Sequence, residues 1–205
     1  MAYSSSSTLL TAVSGRSDVT VGLRVAGVSF ITILTAVAAQ VSIPLPFTPV
    51  PLTLQPMIVL LGGAALGSRL GMTSQVLYLL AGLLGLPVFA ASPTLPPGIL
   101  RLLGPTGGFL MAYPFAAFLT GWLAERGFDR RYLTSVVAMA AGLVLIFACG
   151  IAWLAWFAGR APVGLSTALS LGLYPFIGVD IVKILLAAAV LPSTWWMVGG
   201  RRHLT

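Results

Sequence analysis

YLTSVVAMAAGLVLIFACGIAWLAWF, residues 132–157, runs without a single acid or base. A hydrocarbon core of ~30 Å needs roughly 20 helical residues, so this stretch is long enough to span it. The rest of the 205-residue chain has the same character. Its residues are 58% hydrophobic and only 7% charged, and its mean hydropathy is +1.03. A soluble domain carries about 25% charged residues. Lipid must be the main solvent of this chain.

Working outward from that segment gives an all-α polytopic membrane protein with six transmembrane helices. Segment one covers about Leu23–Val41, segment two Leu54–Leu66 and segment three Met72–Phe89. Segment four covers about Phe109–Leu123, with a start nearer Pro105 also in view, and segment five is Tyr132–Phe157. The last region reads two ways. Either a short helix, Gly164–Leu173, precedes a separate span from Pro175 to Trp196, or one long kinked helix runs through. The interior proline favours the first.

Arginine placement sets the orientation. With the N terminus in the cytoplasm, Arg16, Arg24, Arg69, Arg126, Arg130, Arg131, Arg201 and Arg202 all lie inside. Only Arg101 and Arg160 lie outside, and Lys183 is within the last span. Both termini are then cytoplasmic, in a multi-pass protein of the bacterial cytoplasmic (inner) membrane. Residues 1–20 read as a flexible cytoplasmic tail, 21–198 as the six-helix substrate-binding body and 199–205 as a basic tail. The opening MAYSSSSTLLTAVSG lacks the basic start and long apolar core of a cleaved signal.

Several function classes drop out. The net charge of +7 comes from isolated arginines at segment ends, so it is topogenic and no nucleic-acid partner is expected. Cys149 is the one cysteine and His203 the one histidine. No CxxC or HExxH pattern is present, so neither a metal nor any cofactor is expected. No ATP-binding motif and no serine–histidine or carboxylate constellation supports an enzyme. The chain has binding equipment without an energy source of its own.

Asp180 and Lys183, in GVDIVKILLAAA, are the sharpest polar feature. They lie three apart and share a helical face. Ionisable groups inside a membrane are costly and usually face a bundle interior or a cavity. A ligand-binding pair, a mutually neutralising packing pair and a proton relay all fit that placement. Arg101 is a second cationic candidate, against an ordinary loop arginine. GPTGG at 104–108 offers backbone amides at a helix start through Thr106, Gly107 and Gly108, against a tight entry turn. Thr53 and Gln55 open segment two. Tyr78 and Gly82 share a face of segment three, an aromatic with space beside it. Phe89, Phe47 and Tyr113 are candidates for an apolar cavity wall.

The connections 42–53 and 88–104 are apolar and proline-rich, where loops in water are polar. They read as packed cover over an outward-facing cavity, or as plugs on the helix tops. Thr32–Ala36 and Thr35–Ala39 are small-residue spacings that allow close helix approach, within the bundle or to a partner.

Four stretches carry a family resemblance: PFTPVPLTLQ at 46–55, YLLAGLLGLPVFA at 78–90, GPTGGFLMAYPFAAFLTGWLAER at 104–126 and YPFIGVDIVKILLAAAV at 174–190. Together they resemble the BioY family, the biotin-specific substrate-binding (S) subunits of energy-coupling-factor (ECF) transporters. The resemblance covers about residues 25–192. It implies six helices with a biotin cavity near the external face. Asp180 and Lys183 match the family's D-x-x-K pair, a polar anchor for the ligand; an acid beside a base fits a ureido group, with its two N–H donors and a carbonyl. Thr53 and Gln55 match the signature beside the ligand or its lid. Tyr78 and Gly82 match the third-helix wall, Thr106, Gly107 and Gly108 the glycine turn, and Tyr113 the face below it. Arg101 would meet the carboxylate of biotin.

The resemblance also implies partners: a shared transmembrane coupling protein and two ABC-type ATPase subunits. Related subunits dock through alanine–xxx–alanine on the first helix, where this chain has threonine at the first position of each spacing. A stand-alone biotin carrier, an S subunit for another small vitamin and a proton-coupled carrier are the alternatives.

Overall fold

The apolar runs form helices whose ends are set by glycine, proline and charge. In the computed structural model, residues 8–14, 20–92, 95–158 and 163–201 are described, without the side chains of Val13, Ser14 and residues 198–201. Arg16, Arg160, Arg202 and His203 lie outside the described residues, as does the side chain of Arg201. Helix α1 is Leu9–Ser14 and α2 is Val21–Gln40. Strands β1, Ser42–Ile43, and β2, Leu52–Thr53, come next. Then follow α3, Gln55–Leu66; α4, Ser68–Leu83; α5, Ile99–Leu103; α6, Gly107–Ala124; α7, Tyr132–Trp156; α8, Leu165–Gly172; and α9, Tyr174–Arg201.

Within the stretch expected as a flexible tail, α1 packs against α3 and α9. Its apolar LLTAV sequence buries Leu9 and Ala12. Helix α3 starts with Pro56 in its first turn, where a missing N–H costs nothing. A single residue, Gly67, separates α3 from α4, with φ of 89°. That left-handed conformation suits glycine and lets the chain reverse at once. Ser68 then opens α4, and the Glu125 carboxylate accepts its N–H at 2.7 Å and its hydroxyl at 2.9 Å. An anion there satisfies donors at the positive end of a helix.

The expected third segment, Met72–Phe89, is displaced toward the N terminus. Arg69 and Gly71, which fall between the expected segments two and three, lie inside α4, and the helix stops at Leu83 ahead of Gly85 (φ 88°). Gly71 needs to be small because a Cβ there would sit 2.7 Å from the Cα of Gly63. The final region takes the first of its two options: α8 and α9 are separate, joined through Leu173.

Helix α6 is the centre of the bundle and packs against α7, α3 and α4. Helices α2, α6, α7 and α9 hold apolar stretches long enough to cross a membrane (Val21–Gln40, Gly107–Ala124, Tyr132–Trp156 and Tyr174–Met197), and α3 is a shorter apolar helix. The protein is an all-α polytopic membrane protein. Its outward surface is apolar: Phe30 and Ile33 of α2 are each 63% exposed, as lipid-facing residues should be. The two small-residue spacings of α2 turn inward. Thr35 and Ala39 are fully buried, and the Thr32 hydroxyl donates to the Ser74 carbonyl at 2.9 Å.

Because the helices alternate in direction, all long connections gather at one end of the bundle. That end carries the β1–β2 hairpin, the 84–106 connection with α5, and α8. The opposite end has the Gly67 turn, the 125–131 turn, the start of α2 and the end of α9.

Candidate functional site

At the connection-rich end, a cavity of about 270 Å³ opens between the hairpin, the 84–106 connection and the first turns of α6 and α9. This is near the lower bound for small-molecule pockets. Its cover is built from the prolines of SIPLPFTPVPLT. They exclude helix and leave a minimal antiparallel ladder, Ser42 opposite Thr53 and Ile43 opposite Leu52. The loop between the strands reaches across the mouth, where the Thr48 hydroxyl donates to the Leu171 carbonyl of α8 at 2.6 Å. The expected reading of 42–53 and 88–104 as apolar cover matches this arrangement.

The charged floor comes from α9. Since α9 begins at Tyr174, Asp180 and Lys183 fall within its first three turns, on one face. Lys183 Nζ donates to Asp180 Oδ1 at 2.7 Å and to the main-chain carbonyl of Thr53 at 2.6 Å. Both residues are buried, at 4% and 7% exposure, and both line the cavity. A buried ion pair is tolerated only when the charges are paired and further bonded. Asp180 Oδ2 makes no hydrogen bond among the described residues, which leaves an acceptor at the cavity.

Arg101 is the third charged residue on the cavity wall and its second cation. Its Nη1 donates to the Ala90 carbonyl at 2.6 Å and its Nε to the Pro96 carbonyl at 3.2 Å. Partial burial pulls its pKa below the ordinary guanidinium value, and the group stays cationic. It both ties down the 84–106 connection and brings positive charge to the cavity.

Gln55 and Thr53 also line the cavity, as do Phe89, Thr106 and Tyr113. Four of the expected residues sit behind the wall instead. Tyr78 is fully buried; its hydroxyl accepts from Gln55 Nε2 at 2.5 Å and donates to the Val88 carbonyl at 3.2 Å. Gly82 does not leave space beside Tyr78. The Phe89 ring fills it, so that a Cβ on Gly82 would meet that ring, and Phe89 stands edge-on to Tyr78 at 5.4 Å. A Cβ on Gly107 would overlap the Leu102 carbonyl, and one on Gly108 would press on Trp153. These two glycines serve close packing rather than an open cradle. Phe47 is 60% exposed on the outer surface of the hairpin loop and is not part of the wall.

The sequence reading missed part of the wall: the aromatic Phe109 on α6, Phe147 on α7 and Phe176 on α9, and the polar Thr48. Phe115 and Phe118, on the same helix as Phe109, face outward. Only the helical phase relative to Tyr113 could have separated them, since Phe109 and Tyr113 lie one turn apart.

Few polar groups converging in an aromatic-lined cavity under a loop cover define a membrane-embedded binding protein for a small molecule with both apolar and hydrogen-bonding parts. The profile of the BioY family matches residues 8–200, and the chain belongs to that family. It is 44% identical over 163 residues to the probable biotin transporter BioY of Pyrococcus horikoshii, covering 80% of this chain and 90% of that one. It is 36% identical over 159 residues to the biotin transporter BioY of Thermotoga maritima, covering 78% and 88%. Among solved structures it is similar to the S-component for biotin from an ECF-type ABC transporter. That match has a TM-score of 0.74 and 27% identity, and covers 86% of this chain and 94% of that one.

Proposed function

We propose that this chain is the biotin-specific substrate-binding subunit of an ECF-type importer. The observation that carries the reading is the cavity itself. It places the buried Asp180–Lys183 pair, an acceptor beside a donor, among aromatic side chains. Biotin joins a ureido ring, with two N–H donors and a carbonyl, to an apolar thiolane and chain. The ureido ring lies against Asp180, Lys183, Thr53 and Gln55, and the fused rings pack on Phe89 and Tyr113. The carboxylate meets Arg101, with Thr106 beside it. Family membership and the biotin transporters among the relatives support this assignment.

In this reading the body, 21–198, crosses the bacterial cytoplasmic membrane six times, with α2, α3, α4, α6, α7 and α9 as the spans. Both termini are cytoplasmic and the cavity opens outward. The arginine bias of the sequence supports that orientation. Transport requires a transmembrane coupling protein and ABC-type ATPase subunits, because the chain holds no nucleotide motif of its own.

Calorimetric titration of the detergent-purified protein with biotin tests the reading, with thiamine and riboflavin as competitors. One-to-one binding of biotin that neither competitor displaces is expected. Absence of biotin binding, or equal competition by the other vitamins, overturns the assignment. Uptake by proteoliposomes with and without the ATPase subunits tests the partners, and a reporter fused to the C terminus tests its side of the membrane.

A further inference from the structure

The hydroxyl of Tyr78 has one hydrogen to give and lone pairs to accept with. The carbonyl of Val88, 3.2 Å away, can only accept. With that hydrogen given to Val88, the contact with Gln55 is donated by the amide nitrogen of Gln55. Only this orientation of the carboxamide satisfies the Val88 carbonyl and the Gln55 contact together. The Gln55 nitrogen turns toward Tyr78, which is fully buried and outside the cavity wall. Its oxygen, Oε1, lies on the side of Thr53, whose hydroxyl donates to it at 3.4 Å. Thr53 and Gln55 both line the cavity, and Gln55 is only 2% exposed.

We infer that Tyr78 is a specificity-determining positioning residue: through its bond to Val88 it locks the Gln55 carboxamide so that the cavity is offered an acceptor, and the ligand must supply a donor there. Tyr78 does not touch the ligand. It decides the polarity of a group that does. An amide that could turn over would accept either a donor or an acceptor, and would discriminate little between them. A fixed amide leaves a mismatched ligand with two opposed acceptors in a desolvated site. A buried polar group left unpaired in this way is costly, and sites built on such groups reject mismatched analogues strongly. The Val88 carbonyl is in turn held in place by its neighbours. Gln40 Nε2 donates to the Pro87 carbonyl at 3.1 Å, Phe89 is seated over Gly82, and Arg101 holds the Ala90 carbonyl. The segment that orients Tyr78 is thus fixed from both sides.

This inference rests on the biotin reading, with a ureido N–H as the donor that meets Gln55. The test compares biotin with the two cyclic carbamate analogues in which one or the other ureido N–H is replaced by oxygen. These keep ring size and turn a donor into an acceptor. Dissociation constants are measured by calorimetry on wild type and Tyr78→Phe, which keeps the ring and its packing on Phe89. Wild type is expected to bind one carbamate at least about a hundredfold more weakly than biotin. In Tyr78→Phe, biotin weakens about tenfold, the scale of one lost buried hydrogen bond, while the carbamate penalty narrows to about tenfold or less.

Uniform weakening of all three ligands, with the wild-type ratio preserved, would mark a merely structural hydroxyl and overturn the inference. So would a wild type that does not distinguish the carbamates from biotin. A wild type that binds no biotin overturns the proposed function as well. Should Tyr78→Phe fail to fold, Gln55→Met carries the test. It leaves the Tyr78–Val88 bond intact and removes the oriented amide, so the ratio must narrow; retention of the full carbamate penalty overturns the inference.

Discussion

The ammonium of Lys183 donates to the main-chain carbonyl of Thr53 at 2.6 Å, which fastens the first turns of α9 to the strand that leads into α3. The same nitrogen bonds Asp180 at 2.7 Å. Lys183 thus neutralises a buried carboxylate and holds the hairpin in position. Removing one member of such a pair strands the other charge in an apolar surrounding, at a cost of about 3–5 kcal/mol. Lys183→Met is expected to lower the thermal unfolding midpoint strongly. The Asp180→Asn, Lys183→Met double variant is expected to recover much of that loss while still failing to bind biotin. Equal midpoints for the single and double variants would show that the charge is not what matters.

Gly82 is where the cover is seated. A Cβ at this position would meet the Phe89 ring, which itself lines the cavity. Gly82→Ala should therefore displace Phe89 into the cavity. The expected outcome is a folded protein with a modest loss of stability, about 1–3 kcal/mol for overpacking, and a much larger loss of biotin affinity. Gly85→Ala is a useful contrast, because nothing lies within 4 Å of its Cβ position. Its cost comes only from its φ of 88°, so it should lower stability and leave affinity nearly intact.

The helices were legible because their boundaries are chemical. Tyr132 starts α7 directly after the GFDRR turn, and α3 stops at Gly67, so apolar length and punctuation place both within a residue or so. The start of α4 was not legible, since Gly67 reverses the chain in one residue and puts Arg69 inside a helix. The two-residue strands were hidden by four neighbouring prolines. In the site, Asp180, Lys183, Thr53, Gln55 and Arg101 stood out as polar groups among apolar ones. Gly107 and Gly108 gave the same signal for a different reason: they admit Leu102 and Trp153 rather than a ligand. Phe109, Phe147 and Phe176 were invisible, because an aromatic facing a cavity and one facing lipid look alike in a single sequence.

Thr48 closes the mouth by one hydrogen bond, to the Leu171 carbonyl at 2.6 Å. The bond spans two elements that share no other described hydrogen bond, so it should act on the time the ligand stays more than on its arrival. Thr48→Val keeps the shape and removes the donor. Its expected effect is a biotin dissociation rate raised about five- to tenfold, the scale of a net 1–1.5 kcal/mol bond, with an association rate within about twofold of wild type. Stopped-flow quenching of intrinsic tryptophan fluorescence, followed by displacement, separates the two rates. A change confined to association would show that the contact shapes the open entrance instead.

At the other end of the bundle, Asp129 is buried at 1% exposure in the turn between α6 and α7. Its Oδ2 accepts the Trp195 indole N–H at 2.6 Å, and the Arg130 guanidinium lies 4.9 Å from the Trp195 ring centre. Burial raises the Asp129 pKa above its usual 3.8, and the Trp195 hydrogen bond and the Arg130 charge only partly oppose that shift. A carboxyl with a higher pKa in the folded state binds its proton more tightly there than in the unfolded chain. Its contribution to stability is therefore gained as pH falls through the folded pKa toward 3.8, and lost as pH rises through the same window. Asp129→Asn keeps an oxygen for Trp195 and cannot titrate. Unfolding midpoints measured from neutral pH down to about pH 4 should rise toward acid by a smaller amount in Asp129→Asn than in wild type. Trp195→Phe should be less stable than either at neutral pH, by about 1–3 kcal/mol, because it leaves the ionised carboxylate without its donor. Parallel pH profiles for wild type and Asp129→Asn would place the titration elsewhere.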